Sequence, residues 1–324
     1  MADLPASYVE AHRFDGAVIQ HGRRDQVVPC VIQPRDLGIV RDVWRYKLMT
    51  APQIRELWWP DGHAWPAQRR LCKLFDAGLL EHFRPLAKRG SYPWTYHLGE
   101  VGHKLLCDAG VIPGARRFRR RAVYDFGHVL HELQLNAWVL ALRRGAGEAF
   151  LAWEGELDFE PPRQTREEAN DVIRRLDDDW SAEDMRDLRE RPVRPDAVLE
   201  VAREDGEGVR VLLIEFDRTG RVDKNFEKFR RYDTFLVWWW NLMPEALHAP
   251  EPYVIFVCQD EDQRDQFLYA ADYELTGHHD GLDYNRDRFV GRNRILFAVE
   301  QDMHAGRLDA WRVPAVPRDP LEPR

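Results

Sequence analysis

At 324 residues, with 44% apolar side chains, twelve Trp and fifteen Phe, the chain is long enough for two cores and too apolar for wholesale disorder. Apolar runs such as Phe235–Trp240 fall far short of the roughly 20 residues that cross a bilayer, and no basic-then-apolar leader opens the chain, so the expectation is a cytoplasmic protein without a membrane segment. Cys30, Cys72, Cys107 and Cys258 are scattered without ligand spacing, which argues against a disulfide framework and a zinc site.

The net charge of −8 is unevenly distributed. Residues 1–122 hold 20 Lys and Arg against 12 Asp and Glu, a balance of +8, and the remainder carries −16. A basic module joined to an acidic one suggests that only the first meets phosphate over a broad surface.

The first thirty-odd residues have no sustained period and read as an irregular arm. From Asp36, Leu37, Val40, Val43, Trp44 and Leu48 recur at helical spacing. Thr50 and Gln53 have capping-box spacing ahead of a second helix with Ile54, Leu57 and Trp58 on its apolar face, ended by Pro60, Asp61 and Gly62. A third helix is predicted over about Ala67–Ala77: Ala67, Leu71, Leu74 and Phe75 share one face, Arg69 and Lys73 lie opposite, and Gln68 and Arg70 flank them. Two strand-like stretches follow, Leu79–Arg84 and Tyr92–Leu98, joined through Pro85, Lys88, Arg89 and Gly90.

Three helices and a basic hairpin match a winged helix-turn-helix that places its third helix in the major groove of double-stranded DNA. Lys88 and Arg89 are then candidates for phosphate, and Gln68, Arg69, Arg70 and Lys73 for the groove. Arg116, Arg117, Arg119, Arg120 and Arg121 form a basic stretch suited to a linker that tracks the DNA backbone.

Beyond it the pattern predicts a helix over about Tyr124–Arg144 and strands near Ala149–Trp153, Ala197–Val201 and Val209–Phe216. A helix over about Val222–Trp240, a strand at Tyr253–Cys258, a helix at Asp262–Ala271 and a strand at Ile295–Val299 complete the order. That order is a mixed α/β sheet. In expectation the chain divides into an arm (1–35), a winged-helix module (36–112), a linker (113–122), an α/β module (123–313) with an acidic insertion (157–191), and a tail (314–324).

A hairpin turn centred between Asp205 and Gly206 pairs Asp196 with Glu215, and Asp217 shares their face. Two carboxylates about 5 Å apart at Cβ, one of them on the apolar strand Val211–Phe216, require a positive partner. A divalent cation, Mg²⁺ or Mn²⁺ on Asp196 and Glu215, is one candidate, and an Arg194 salt bridge to Glu215 or Asp217 without metal is the other. Lys224, Lys228 and Arg231 share a face of the following helix and can reach toward these carboxylates, and Tyr232 either completes the cluster or packs.

The run Arg194-Pro195-Asp196-Ala197, then Ile214-Glu215-Phe216-Asp217-Arg218-Thr219, then Lys228 and Tyr232, resembles the plasmid replication-relaxation proteins, as do Ala77-Gly78-Leu79-Leu80 and Tyr96-His97-Leu98. The resemblance covers about residues 36–300 and implies a C-terminal half of the PD-(D/E)xK nuclease type, restriction-endonuclease-like in fold. It implies catalytic roles for Asp196 and Glu215, but the motif's lysine position, two after Glu215, holds Asp217; Lys224 or Lys228 would have to substitute. Glu132 or Glu154 is a candidate further carboxylate.

Two functions follow as expectations: a DNA-binding protein of plasmid or mobile-element replication that nicks or cleaves DNA with a metal ion, or a non-catalytic DNA-binding factor that keeps the fold as scaffold or homodimer interface. A tyrosine-dependent relaxase is the reading least favoured, since adjacent His278 and His279 point apart in a strand and no three-histidine arrangement is present. His128 and His131 read as packing or capping residues, and Trp238-Trp239-Trp240 as packing under the sheet.

Overall fold

The computed structural model describes residues 19–22, 26–60, 62, 64–85, 92–112, 117–118, 126–155, 193–203, 208–217, 226–236, 252–275, 289–304 and 310–312. The hairpin tip with Lys88 and Arg89, Arg116 and Arg119–Arg121, the 157–191 insertion, Arg218, Lys224, Trp238–Trp240, His278–His279 and the tail lie outside the described residues. The chain is a mixed α/β protein with two sheets and two compact units, Met1–Leu140 and Ala141–Arg324.

The first unit opens with β1 (Ile19–His21), α1 (Pro34–Arg45), β2 (Met49–Thr50), α2 (Ala51–Trp58) and α3 (Ala64–Asp76). β3 (Leu80–Pro85), β4 (Thr95–Leu98) and α4 (Glu100–Asp108) follow. Thr50 caps α2 reciprocally: Thr50 N donates to Gln53 Oε1 at 2.8 Å and Gln53 N to Thr50 Oγ1 at 3.3 Å. α3 begins three residues before its expected start because Pro66 falls in the first turn, where the missing N–H would have had no partner in any case. It ends at Gly78, whose φ of 73° is the left-handed conformation that lets Leu79 N bond to Leu74 O at 3.0 Å. Ile39, Val40, Val43, Ile54, Leu71, Leu74, Leu80, Phe83 and Leu106 form the buried interior.

The arm is not wholly irregular: β1 pairs antiparallel with β3, giving a sheet in the order β1-β3-β4-β2. α4, which the sequence periodicity did not single out, lies so close to the hairpin that a Cβ at Gly102 would meet Leu79 O at 2.2 Å.

Helix α5 (Phe126–Ala146) was expected to open the α/β module. Its residues up to Leu140 fall in the first unit, and hydrogen bonds hold them there: Asn136 Nδ2 donates to Tyr46 O at 2.8 Å and to Leu48 O at 2.5 Å, and Gln53 Nε2 to Leu133 O at 3.1 Å.

The second unit continues with β5 (Phe150–Gly155), β6 (Ala197–Ala202), β7 (Val209–Phe216), α6 (Phe226–Thr234), β8 (Tyr253–Cys258), α7 (Glu261–Glu274), β9 (Ile295–Val299), α8 (Glu300–His304) and β10 (Ala310–Arg312). The sheet order is β10-β9-β8-β7-β6-β5; β5, β6 and β7 form an antiparallel meander, and β7, β8 and β9 run parallel, joined by chain segments that contain α6 and α7. Parallel strands covered on both faces require continuous apolar runs, and Leu212, Leu213, Ile214, Val254, Ile255 and Phe256 are all buried. Phe229 of α6 meets Phe256 and Phe297 of the sheet edge-on, and Phe267 of α7 meets Phe256 and Phe229 in the same way, with centroids 5.0–6.4 Å apart.

Candidate nucleic-acid interface and carboxylate site

Helix α3 has two unlike faces. Ala67, Leu71, Leu74 and Phe75 are buried, while Trp65, Gln68, Arg69, Cys72 and Lys73 are exposed. The Arg69 guanidinium lies over the Trp65 ring, 5.2 Å from its centroid. Arg70, expected among the groove-facing residues, is turned the other way. Its Nε donates to Asp36 Oδ1 at 2.7 Å, one terminal nitrogen reaches Asp36 Oδ2, and that nitrogen also bonds to Val31 O at 2.8 Å. The reason is Asp36 itself, 0% exposed in the first turn of α1, where an uncompensated carboxylate would be costly.

In the second unit the expected register holds. Ala197 faces Ile214 and Ala202 faces Val209, so Asp196 stands at the start of β6 beside the end of β7. Asp196 N donates to Ile214 O at 2.8 Å, and Phe216 N donates to Asp196 Oδ2, also at 2.8 Å. Glu215, on the β7 face that α6 covers, is buried. Lys228 Nζ donates to its Oε2 at 2.7 Å and Tyr232 Oη to its Oε1 at 2.5 Å. Lys228 and Tyr232 are one turn apart on α6, so a single helical face delivers both donors. The cation that meets Glu215 is therefore Lys228 and not Arg194.

Burial raises the Glu215 pKa, and the charge of Asp196 adds to this, while Lys228 and Tyr232 oppose it. Burial works against the Lys228 ammonium, but Glu215, with Asp196 and Asp217 behind it, prevails and raises its pKa. Burial and then Glu215 push the Tyr232 phenol well up, so it is a donor at neutral pH. Asp217 directly follows β7 and is half-buried. No group of three or more His, Cys, Asp or Glu is arranged to hold a metal among the described residues. Glu132 is tied instead to Lys47 at 3.3 Å within the first unit, and Glu154 falls within β5 opposite Val198.

The sequence reading missed Trp65 and Asp36. Trp65 lay just outside the predicted helix, although its spacing of four from Arg69 marks a shared face once the helix is extended. The Asp36–Arg70 pair spans 34 residues and has no local signature.

These features define a two-unit α/β protein with a cationic helix face in one unit and a carboxylate–lysine–tyrosine cluster in the other. The replication-relaxation family model matches residues 40–241, and the chain belongs to that family. Membership connects it with plasmid or mobile-element replication and relaxation, and the matched span includes α3, Asp196, Glu215, Lys228 and Tyr232. No curated protein and no solved structure matches the chain. No helix among the described residues is long and apolar enough to cross a membrane.

Proposed function

We propose that the protein binds duplex DNA during plasmid or mobile-element replication, with residues 34–98 acting as a winged helix-turn-helix and the larger sheet forming a nuclease-like module. The observation that carries DNA binding is the exposure of Gln68, Arg69 and Lys73 on one face of α3 while the opposite face is buried. Lys73 and the hairpin's Lys88 and Arg89 supply charge for phosphates, and Gln68 and Arg69 have the chemistry for base edges. Arg70 is not among them, because Asp36 holds it.

In the catalytic form of this reading Asp196 and Glu215 hold Mg²⁺ or Mn²⁺. A carboxylate oxygen that accepts one hydrogen bond keeps a second lone pair, so the pair fits a cation that takes its other ligands from water. Such an ion supplies an activated water for phosphodiester hydrolysis. Lys228 then offsets charge on the phosphate. A non-catalytic scaffold is the second reading, supported by the two protein partners already on Glu215 and by Asp217 at the position where the motif has lysine.

Incubation of supercoiled plasmid with either metal, beside Asp196→Ala, Glu215→Ala and an EDTA control, separates the two. Open-circular or linear product from wild type alone establishes the nuclease; intact plasmid with a gel shift leaves the scaffold; neither product nor shift removes both.

A further inference from the structure

One large apolar side chain on the cationic face of α3 stands largely outside the core. Trp65 is 65% exposed on a helix whose core residues are closed off from solvent. At 100° per residue Trp65, Gln68, Arg69, Cys72 and Lys73 fall within one face, free of acidic residues until Asp76 at the helix end. The Arg69 guanidinium lies over the ring, 5.2 Å from its centroid. Stacking of this kind restrains an arginine fork that would otherwise sample many rotamers.

We infer that Trp65 and Arg69 together determine DNA sequence preference, Trp65 by apolar contact with the 5-methyl group of a thymine and Arg69 by its fork on a neighbouring guanine in the major groove. The inference rests on the duplex-DNA reading above and deepens it. In the major groove only thymine presents a methyl group, and guanine presents the paired O6 and N7 acceptors that an arginine fork matches. An exposed indole beside a restrained guanidinium offers both complements from adjacent turns of one helix. The positive stripe favours a nucleic-acid surface over an apolar protein groove. It also explains why the helix leaves this Trp in water while its other face buries Leu71 and Leu74.

The test is a competition gel shift with the full chain and two mixed-sequence duplex pools, identical except that uracil replaces thymine in one. Wild type is expected to favour the thymine pool by about tenfold, the scale of one base contact. Trp65→Ala is expected to bind both pools equally, with an unchanged melting temperature because the side chain it removes is solvent-exposed. Arg69→Lys keeps the charge and is expected to lose sensitivity to 7-deazaguanine, which lacks N7, while retaining the salt dependence of binding. Equal binding of both pools by wild type, or a thymine preference that survives in Trp65→Ala, overturns the inference while leaving DNA binding intact. Absence of any wild-type shift at low salt removes the DNA-binding reading and the inference with it.

Discussion

Among the described residues the counter-charge in contact with the buried Glu215 carboxylate is Lys228, and the two differ in exposure: the Lys228 side chain is 42% exposed and that of Glu215 only 3%. Removal of the lysine leaves a negative charge under α6 with the Tyr232 hydroxyl as its remaining hydrogen-bond donor. Breaking a fully buried pair costs about 3–5 kcal/mol, and solvent around Lys228 reduces this, so Lys228→Met is expected to lose roughly 1–3 kcal/mol in urea unfolding. Addition of Glu215→Gln, which removes the stranded charge, is expected to recover most of that loss; no recovery would mean that the lysine stem, rather than its charge, holds α6. Asp233, one residue beyond Tyr232, is buried too, and burial raises its pKa from 3.8 to about 7 against backbone hydrogen bonds from Gly291 and Arg292 and the charges of Arg294 and Arg292. A carboxyl with a folded-state pKa above its unfolded value binds more protons folded than unfolded in the interval between them. Its contribution to stability is complete below about pH 3.8 and is lost as pH rises to about 7. Asp233→Asn is therefore expected to flatten the fall in stability from about pH 4 to about pH 7, measured by urea titration across that range; an unchanged slope would assign the fall to other groups.

Among elements, α5 is the one whose place in the molecule departs most from its place in the sequence. Asn136 donates to two carbonyls, Tyr46 O and Leu48 O, that flank Lys47, a non-glycine residue in left-handed conformation with φ of 57°. Lys47 in turn reaches Glu132 of the same helix. Asn136→Ala leaves both buried acceptors without this donor and is expected to cost about 1–3 kcal/mol by thermal or urea melting; a change within error would mean that the turn is held by packing alone. These hydrogen bonds join residues 85–90 apart, and no period or motif announces them. The sheet was far more legible. β7, β8 and β9 occupy their expected residues, because runs such as Val211–Phe216 fit a strand covered on both faces, and β6 and β7 pair in the expected register, which brings Asp196 beside Glu215; the expected turn at Asp205-Gly206 lies outside the described residues. Lys228 was legible as a candidate from its helical face, whereas its choice of Glu215 and the hydrogen bond from Tyr232 depend on how α6 lies on the sheet. β1 escaped notice because three residues paired at long range carry too little alternation. The engagement of Arg70 was not legible, because periodicity orients a side chain but does not reveal that a buried Asp36 competes for it.

For the molecule as a whole, charge and family point the same way. The basic balance of +8 lies in residues 1–122 and the acidic −16 beyond them, so the charge suited to the proposed phosphate contacts lies in the first part of the chain, while the family match extends through both units. Within that part the buried Asp36–Arg70 pair fixes α3 and leaves Gln68, Arg69 and Lys73 outward. The proposed grip of this helix face on duplex DNA is tested by affinity for a short duplex as a function of salt, wild type beside Arg69→Ala/Lys73→Ala. Wild-type log affinity is expected to fall linearly with log salt, and the double variant to bind more weakly with a slope shallower by about 1, for the phosphate contact of Lys73, Arg69 being assigned to a base edge. A salt-insensitive wild type, or a double variant with unchanged affinity and slope, would contradict the account.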